Sequence, residues 1–136
     1  MERVASIAVR LLDNVIDMSN YPLPQQHQEA VSKRRMGIGI TGLADLFIFL
    51  KMRYGSPESV QLSEKIMSTI TTAAYRASVE LGQEKGCFPA LVKEKYAASK
   101  FIQQTLPADL RELILKNGTR NSHLTSIAPT GTISLF

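Results

Sequence analysis

Residues 37–42 read GIGITG, the G-x-G-x-x-G spacing that dinucleotide-binding folds use to bring backbone against a pyrophosphate, and the reading of this stretch decides the fold. The spacing has that meaning only where a buried strand runs in, a helix leaves, and a carboxylate follows about 20 residues on for a ribose hydroxyl. Upstream stand Ser32, Lys33, Arg34, Arg35 and Met36, polar and basic where a buried strand needs consecutive Val, Ile or Leu. A helix does follow, through LADLFIFL from Leu43, but Glu58 and Glu64 fall inside another helical pattern and not at a strand tip. The glycines alone therefore do not make a dinucleotide site. They leave little side chain to pack on a pleated face, so MGIGITG forms a short strand or a tight strand-to-helix turn.

Outward from this stretch the chain reads as mostly helical. Val4, Ile7, Ala8, Leu11, Leu12, Val15 and Ile16 recur at helical spacing, which predicts a helix over about residues 2–18 packed on that face. SNYPLP ends it, because each proline disfavours helical geometry in the residue before it. LADLFIFL is apolar nearly all round and is expected to be buried. Ser56 and Pro57 mark a helix start, with Glu58 at the positive end of the dipole. From there Leu62, Ile66, Ile70, Ala73, Ala77 and Leu81 form one stripe, in a helix expected to run until Gly86 ends it as a left-handed cap. Residues 87–105 read as irregular with a short helix near Glu94 to Phe101, and LPADLRELILKNG as a helix ending at Gly118. HLTSIA is a strand candidate, followed by PTGTIS.

Composition narrows the function. At 136 residues with 44% hydrophobic side chains the chain is long enough for one domain with a real core. The net charge of +4 comes from 16 basic residues scattered among 12 acidic ones, and the only basic run is Lys33 to Arg35, so a solvated face is expected and no nucleic-acid partner. Cys87 is the single cysteine, which excludes an internal disulfide and a multi-cysteine metal site and fits a reducing, cytoplasmic setting. No apolar run is long enough to span a membrane. Apolar periodicity is already in phase at Val4, and TISLF stops on apolar side chains, so an inner piece of a longer polypeptide is expected.

Few residues offer chemistry. His27 and His123 lie far apart with no second ligand at helical spacing, so no metal site is expected. Cys87 sits in a loop without a flanking His or Lys to activate it and reads as structural. No G-x-S-x-G elbow exists. The stretch APTGTIS, Ala128 to Ser134, differs in kind: a strand that stops at proline and opens into small residues can turn successive N–H groups toward one anion, with the hydroxyls of Thr130, Thr132 and Ser134 as further donors. A plain strand-to-helix turn has the same composition, and spacing does not separate the two.

Taken together, LLDNVIDMSNYPLP, RRMGIGITGLADLF, YRASVELGQEKGCFP and above all RNSHLTSIAPTGTISLF resemble, in order and separation, the large catalytic subunit of ribonucleotide reductases. The resemblance spans nearly the whole chain. It implies an α/β fold, a helix-rich fragment of a ten-stranded α/β barrel with few short strands, in which residues 1–136 are one segment of the catalytic barrel domain ending at the substrate phosphate loop 128–134. It assigns the glycine-rich stretch to scaffold. It places ribonucleotide phosphates on Ala128, Pro129, Thr130, Gly131, Thr132, Ile133 and Ser134; Asn121 and Ser122 are expected either to brace the strand that presents them or to be ordinary turn polars.

The PTGTIS form is similar to the adenosylcobalamin-dependent class, the alternative being a class served by a diiron radical partner subunit. The implied chemistry is thiyl-radical reduction of a ribonucleoside di- or triphosphate at the 2′ carbon. The chain departs from the family at its cysteines: Cys87 falls where the family usually has another residue, and the Asn-x-Cys-x-Glu finger loop is absent. No catalytic residue and no metal ligand is therefore assigned. The segment by itself is expected to be inactive, to bind no cofactor, to depend on the rest of the reductase chain and to self-associate through uncovered apolar faces. Two other classes stay open from the residues alone, a small nucleotide-binding module built on APTGTIS and a helical interaction module.

Overall fold

α1 (Glu2–Met18) forms where the apolar spacing predicts, but it turns a different face inward. In the computed structural model, which describes residues 1–129, 131 and 132, the buried side chains of α1 are Ala5, Val9, Asp13 and Ile16. Val4, Ile7, Leu11 and Val15 of the predicted stripe are exposed, Ala8 and Leu12 half-buried. The physical reason is Asp13: its carboxylate meets arginines inside the fold, and a stripe drawn through apolar residues alone misses a face centred on a charge.

After the turn, α2 (Pro24–Lys33) starts with proline in its first turn and closes on Arg34, whose φ of 45° and ψ of 51° are left-handed and whose N–H donates to the Ala30 carbonyl at 2.8 Å. The glycine-rich stretch follows outside any helix, with Ile38 in a β-bridge. α3 (Leu43–Phe49) comes next and is not the buried helix expected: Phe47 is buried with its ring edge-on to Tyr54, while Ile48 and Phe49 are 72% and 83% exposed.

α4 (Pro57–Lys85) begins as read from sequence. The Ser59 N–H donates to Ser56 Oγ at 3.3 Å, a cap that stabilises a helix by about 1 kcal/mol. Its stripe of Ile66, Ile70, Ala73, Ala77 and Leu81 is buried as predicted, with Leu62 half-buried. The small residues of α4 leave room for α1: Val9 is fully buried in one cluster with Ala74 and Ala77, a side chain worth about 2 kcal/mol when removed from water, and Ala5 is buried in the other with Ala73. Gly86 ends the helix at φ 86° and ψ 154°, positive in φ but outside the left-handed helical cap expected. The single short helix expected after it is two, α5 (Lys93–Ala97) and α6 (Lys100–Thr105), before α7 (Ala108–Asn117) stops at Gly118 as predicted.

Among the described residues two buried clusters result. One joins Val9 of α1 with α4, Ile102, Leu106, Leu110, Ile114 and Leu124; the other joins Ala5 with Ile66, Ile70 and Ala73, and Ile38 packs against both. HLTSIA does not make the strand expected of it. Among the described residues it forms one parallel bridge, Ile38 to Thr125, flanked by Met36 N–H to His123 O at 3.0 Å, Ile38 N–H to Leu124 O at 2.8 Å and Ser126 N–H to Ile38 O at 3.1 Å. A sheet needs further strands on either side to extend such a pair, and the described residues supply helices instead. Among the described residues the fold is helix-rich, with one parallel pairing whose Ile38 packs against both clusters.

This pairing accounts for the glycines of the opening motif. A Cβ on Gly37 would come 2.4 Å from Ser126 Oγ, and one on Gly39 would come 2.8 Å from the Ser126 carbonyl oxygen. Gly42, at φ 75°, turns the chain into α3. Two glycines admit a neighbouring segment and the third makes a turn.

Candidate functional site

The segment that leads to the expected phosphate loop is held one residue at a time. Thr119 is buried, and its hydroxyl donates to the Asn121 carbonyl at 3.1 Å. The Arg120 N–H donates to the Ser78 carbonyl, and its guanidinium reaches the Lys85 and Gly86 carbonyls at 3.0 and 3.1 Å, capping the negative end of α4. Gly82 makes room for this crossing, since a Cβ there would stand 3.1 Å from the Arg120 nitrogen.

Asn121 is fully buried. Its Nδ2 donates to Asp13 Oδ1 at 2.9 Å and to the Arg34 carbonyl at 3.3 Å; its N–H donates to Ser78 Oγ at 3.0 Å, and its Oδ1 accepts from that same hydroxyl at 3.0 Å. Ser122 is half-buried: its N–H donates to the Lys33 carbonyl, its carbonyl accepts from the Tyr96 hydroxyl at 2.8 Å, and its Oγ lies 3.0 Å from His123 Nδ1.

At the centre stands the Asp13 carboxylate, with no exposed surface. Arg34 Nε donates to Oδ1 at 2.9 Å, Arg120 Nε reaches both oxygens at 3.3 and 3.2 Å, and Lys85 Nζ lies 3.7 Å from Oδ2. Arg34 also donates to the Asp13 carbonyl and to Asp17. Burial pushes the Asp13 carboxyl up, but the Asn121 and Arg34 hydrogen bonds and the charges of Arg34 and Arg120 outweigh it and hold the group below the usual carboxylate range. Burial likewise opposes the charge of Arg34, and Asp17 and Asp13 together raise it nonetheless. Lys33 and Arg35 pair with Glu29 at the surface, as a solvated run should, but Arg34 is 2% exposed, contrary to the solvated face expected for all three.

Beyond this anchor the chain emerges. Ile127 is 88% exposed, and Ala128, Pro129, Gly131 and Thr132 are exposed; a Cβ on Gly131 would meet nothing within 4 Å. Thr130, Ile133 and Ser134, also expected to hold phosphate, lie outside the described residues. The structure thus separates the expected site into a buried part, Asn121 with half-buried Ser122, and an exposed part. Cys87 lies in a loop as expected, its Sγ donating to the Asn117 carbonyl at 3.2 Å. Among the described residues no group of three or more His, Cys, Asp or Glu could hold a metal ion, and no helix is long and apolar enough to cross a membrane.

Sequence reading missed Asp13, Arg34, Arg120 and Ser78. A signal existed: Ala5, Val9 and Asp13 step by four, and Ile16 follows by three, so an acid occupies a helical column of otherwise apolar residues.

Among the described residues, an exposed small-residue segment thus follows a buried ionic anchor on a helix-rich scaffold with one parallel pairing. The chain belongs to the barrel-domain family of ribonucleotide reductases, whose model matches residues 1–136. It is 41% identical over its full length to the vitamin B12-dependent ribonucleoside-diphosphate reductase of Mycobacterium tuberculosis, 36% identical over 95% of its length to the enzyme of that name from Thermoplasma acidophilum, and 38% identical over 98% to the ribonucleoside-diphosphate reductase large subunit of Arabidopsis thaliana. It spans 17%, 15% and 17% of those proteins respectively.

Proposed function

We propose that this chain is a segment of the catalytic barrel of a ribonucleotide reductase, which converts ribonucleotides to 2′-deoxyribonucleotides for DNA synthesis. The observation that carries the reading is the family match over residues 1–136. Within it, Ala128 to Ser134 are the loop that receives the substrate's phosphates, and Asn121 and Ser122 brace the segment that presents it. Main-chain N–H groups suit this task because several can point at one anion without the entropy of long side chains.

The substrate proposed is a ribonucleoside diphosphate, as the relatives' names suggest for those proteins. The cofactor proposed for the whole enzyme is adenosylcobalamin, in line with the vitamin B12-dependent relatives. When bound, it supplies the radical that starts reduction. Three recesses among the described residues, of about 450 to 540 Å³, are open and do not fit a corrin, and the buried carboxylate is already taken by arginines. No residue of this chain is assigned to it.

The test is turnover by the full reductase polypeptide that carries this segment, with and without adenosylcobalamin. Deoxyribonucleotide formed only with the cofactor supports the reading. Turnover that requires a separate radical subunit instead would reassign the class, and no turnover under either condition would remove the function. For the loop, Gly131→Val should weaken ribonucleotide binding far more than Thr130→Ala, because a branched side chain there would stand between the phosphates and several main-chain donors at once, whereas one hydroxyl is worth about 1 kcal/mol.

A further inference from the structure

We propose that Asp13 is the positioning residue of the phosphate segment: its buried carboxylate fixes the register in which residues 121–126 lie against residues 34–38, and so fixes where the loop beyond Ile127 meets the substrate. The inference rests on the reading of residues 128–134 as that loop.

A parallel pair held by one bridge specifies its own register weakly. A slip by two residues would restore the same alternation of faces and the same backbone pattern, yet it would carry the loop roughly 6–7 Å along the strand, well out of hydrogen-bonding reach of a phosphate placed for the native register. The anchor around Asp13 breaks that degeneracy. Arg34 meets Asn121, and Ile38 meets Thr125, at one common offset of 87 residues. Asn121 Nδ2 is shared between Asp13 Oδ1 and the Arg34 carbonyl, and Arg120 joins the same carboxylate.

In a slipped register Asn121 and Arg120 would both leave Asp13, and a fully buried carboxylate would keep Arg34 while losing two of its donors. The carboxylate itself cannot follow, because Val9 and Ile16 on either side hold this face of α1 against the core. Ser78 grips Asn121 from α4 at the same time, as donor to Oδ1 and acceptor from N–H. Asp13 reaches the substrate only through the segment it holds.

The test uses the full reductase polypeptide, with folding checked by thermal unfolding. It measures competition binding of a ribonucleoside diphosphate and of the matching nucleoside, which lacks phosphates. In Asp13→Asn and in Ser78→Ala, binding of the diphosphate should weaken by about tenfold or more, as expected for groups displaced by an ångström or beyond, while nucleoside binding stays at the parent level. Ser78→Ala removes one hydroxyl and no charge, so it decides the question if Asp13→Asn does not fold. Equal weakening of nucleoside and diphosphate would mean general damage and would overturn the proposal. So would parent-like diphosphate binding by the folded variants while Gly131→Val weakens it, an outcome that leaves the loop reading standing. If Gly131→Val also binds like the parent, the loop reading falls and this inference with it.

Discussion

Gly39 lies against the backbone of Ser126, so closely that a Cβ on it would stand 2.8 Å from the Ser126 carbonyl oxygen. The obstacle is main chain and cannot rotate away. Gly39→Ala should therefore destabilise the chain by about 1–3 kcal/mol in urea unfolding. At Gly37 the obstacle is the Ser126 side chain, with Oγ at 2.4 Å and Cβ at 2.9 Å. Gly37→Ala should be rescued in part by Ser126→Gly, and Gly39→Ala should not. A double-mutant cycle with equal coupling at both glycines would contradict this geometry.

Removing the charge of Asp13 should be the most damaging single change in the anchor. Asp13→Asn leaves two arginines facing a neutral amide in a buried place, at a cost of about 3–5 kcal/mol. Asp17 binds the same arginines from a side chain that is 43% exposed, so Asp17→Asn should cost under about 1 kcal/mol. Chemical denaturation of the two variants compares them directly, and near-equal losses would speak against the central place of Asp13.

Acid should act through the same carboxylate. Because the folded state holds Asp13 below its ordinary value of 3.8, the unfolded chain takes up the proton first as pH falls. The stabilisation is complete above that ordinary range and is lost progressively as pH drops below 3.8 toward the lower folded value. Thermal unfolding followed from neutral pH into this range should show the melting temperature of the parent falling more steeply than that of Asp13→Asn. Parallel curves would mean that Asp13 does not carry the acid sensitivity.

Tyr96 should remain a hydrogen-bond donor at any pH the fold survives. Burial first, and then the neighbouring Tyr75, push its hydroxyl far above the ordinary phenol range. It donates to the Ser122 carbonyl at 2.8 Å, so Tyr96→Phe should cost about 1 kcal/mol. Alkaline difference spectra should show at least this tyrosine titrating only on unfolding.

The apolar face that α1 does not bury predicts association of the isolated chain. Val4, Ile7, Leu11 and Val15 are 69%, 57%, 60% and 48% exposed, one contiguous strip. Sedimentation should find dimers or larger species, and Ile7→Lys with Leu11→Glu should return the chain toward monomer. A parent that stays monomeric at high concentration would remove this expectation.

How far the sequence could be read depended on whether a residue's role is local. The start of α4 follows from Ser56 and Pro57 and their immediate neighbours, and its buried stripe from a period that persists over the whole helix; both were legible. The inner face of α1 was not, because what turns it is Asp13 meeting Arg34, Arg120 and Asn121, partners 21, 107 and 108 residues away. Arg34 was hidden for the same reason, standing in a run whose other two members are solvated. Gly37 and Gly39 were visible as glycines, but what they make room for lies at Ser126. The α3 helix misled because an apolar composition states what could be buried, not what is available to bury it.

Those separations also order the events of folding. Asp13 and Arg34 can meet once α1 and α2 exist, after closing a short loop, whereas Arg120 and Asn121 must be brought back across most of the chain at a higher entropic cost before any contact rewards them. The anchor is therefore completed late, and on the ribosome it cannot close until residue 121 has emerged. Until then the Asp13–Arg34 pair lacks Arg120 and Asn121, and the stretch leading to residue 128 has no anchor to hold it.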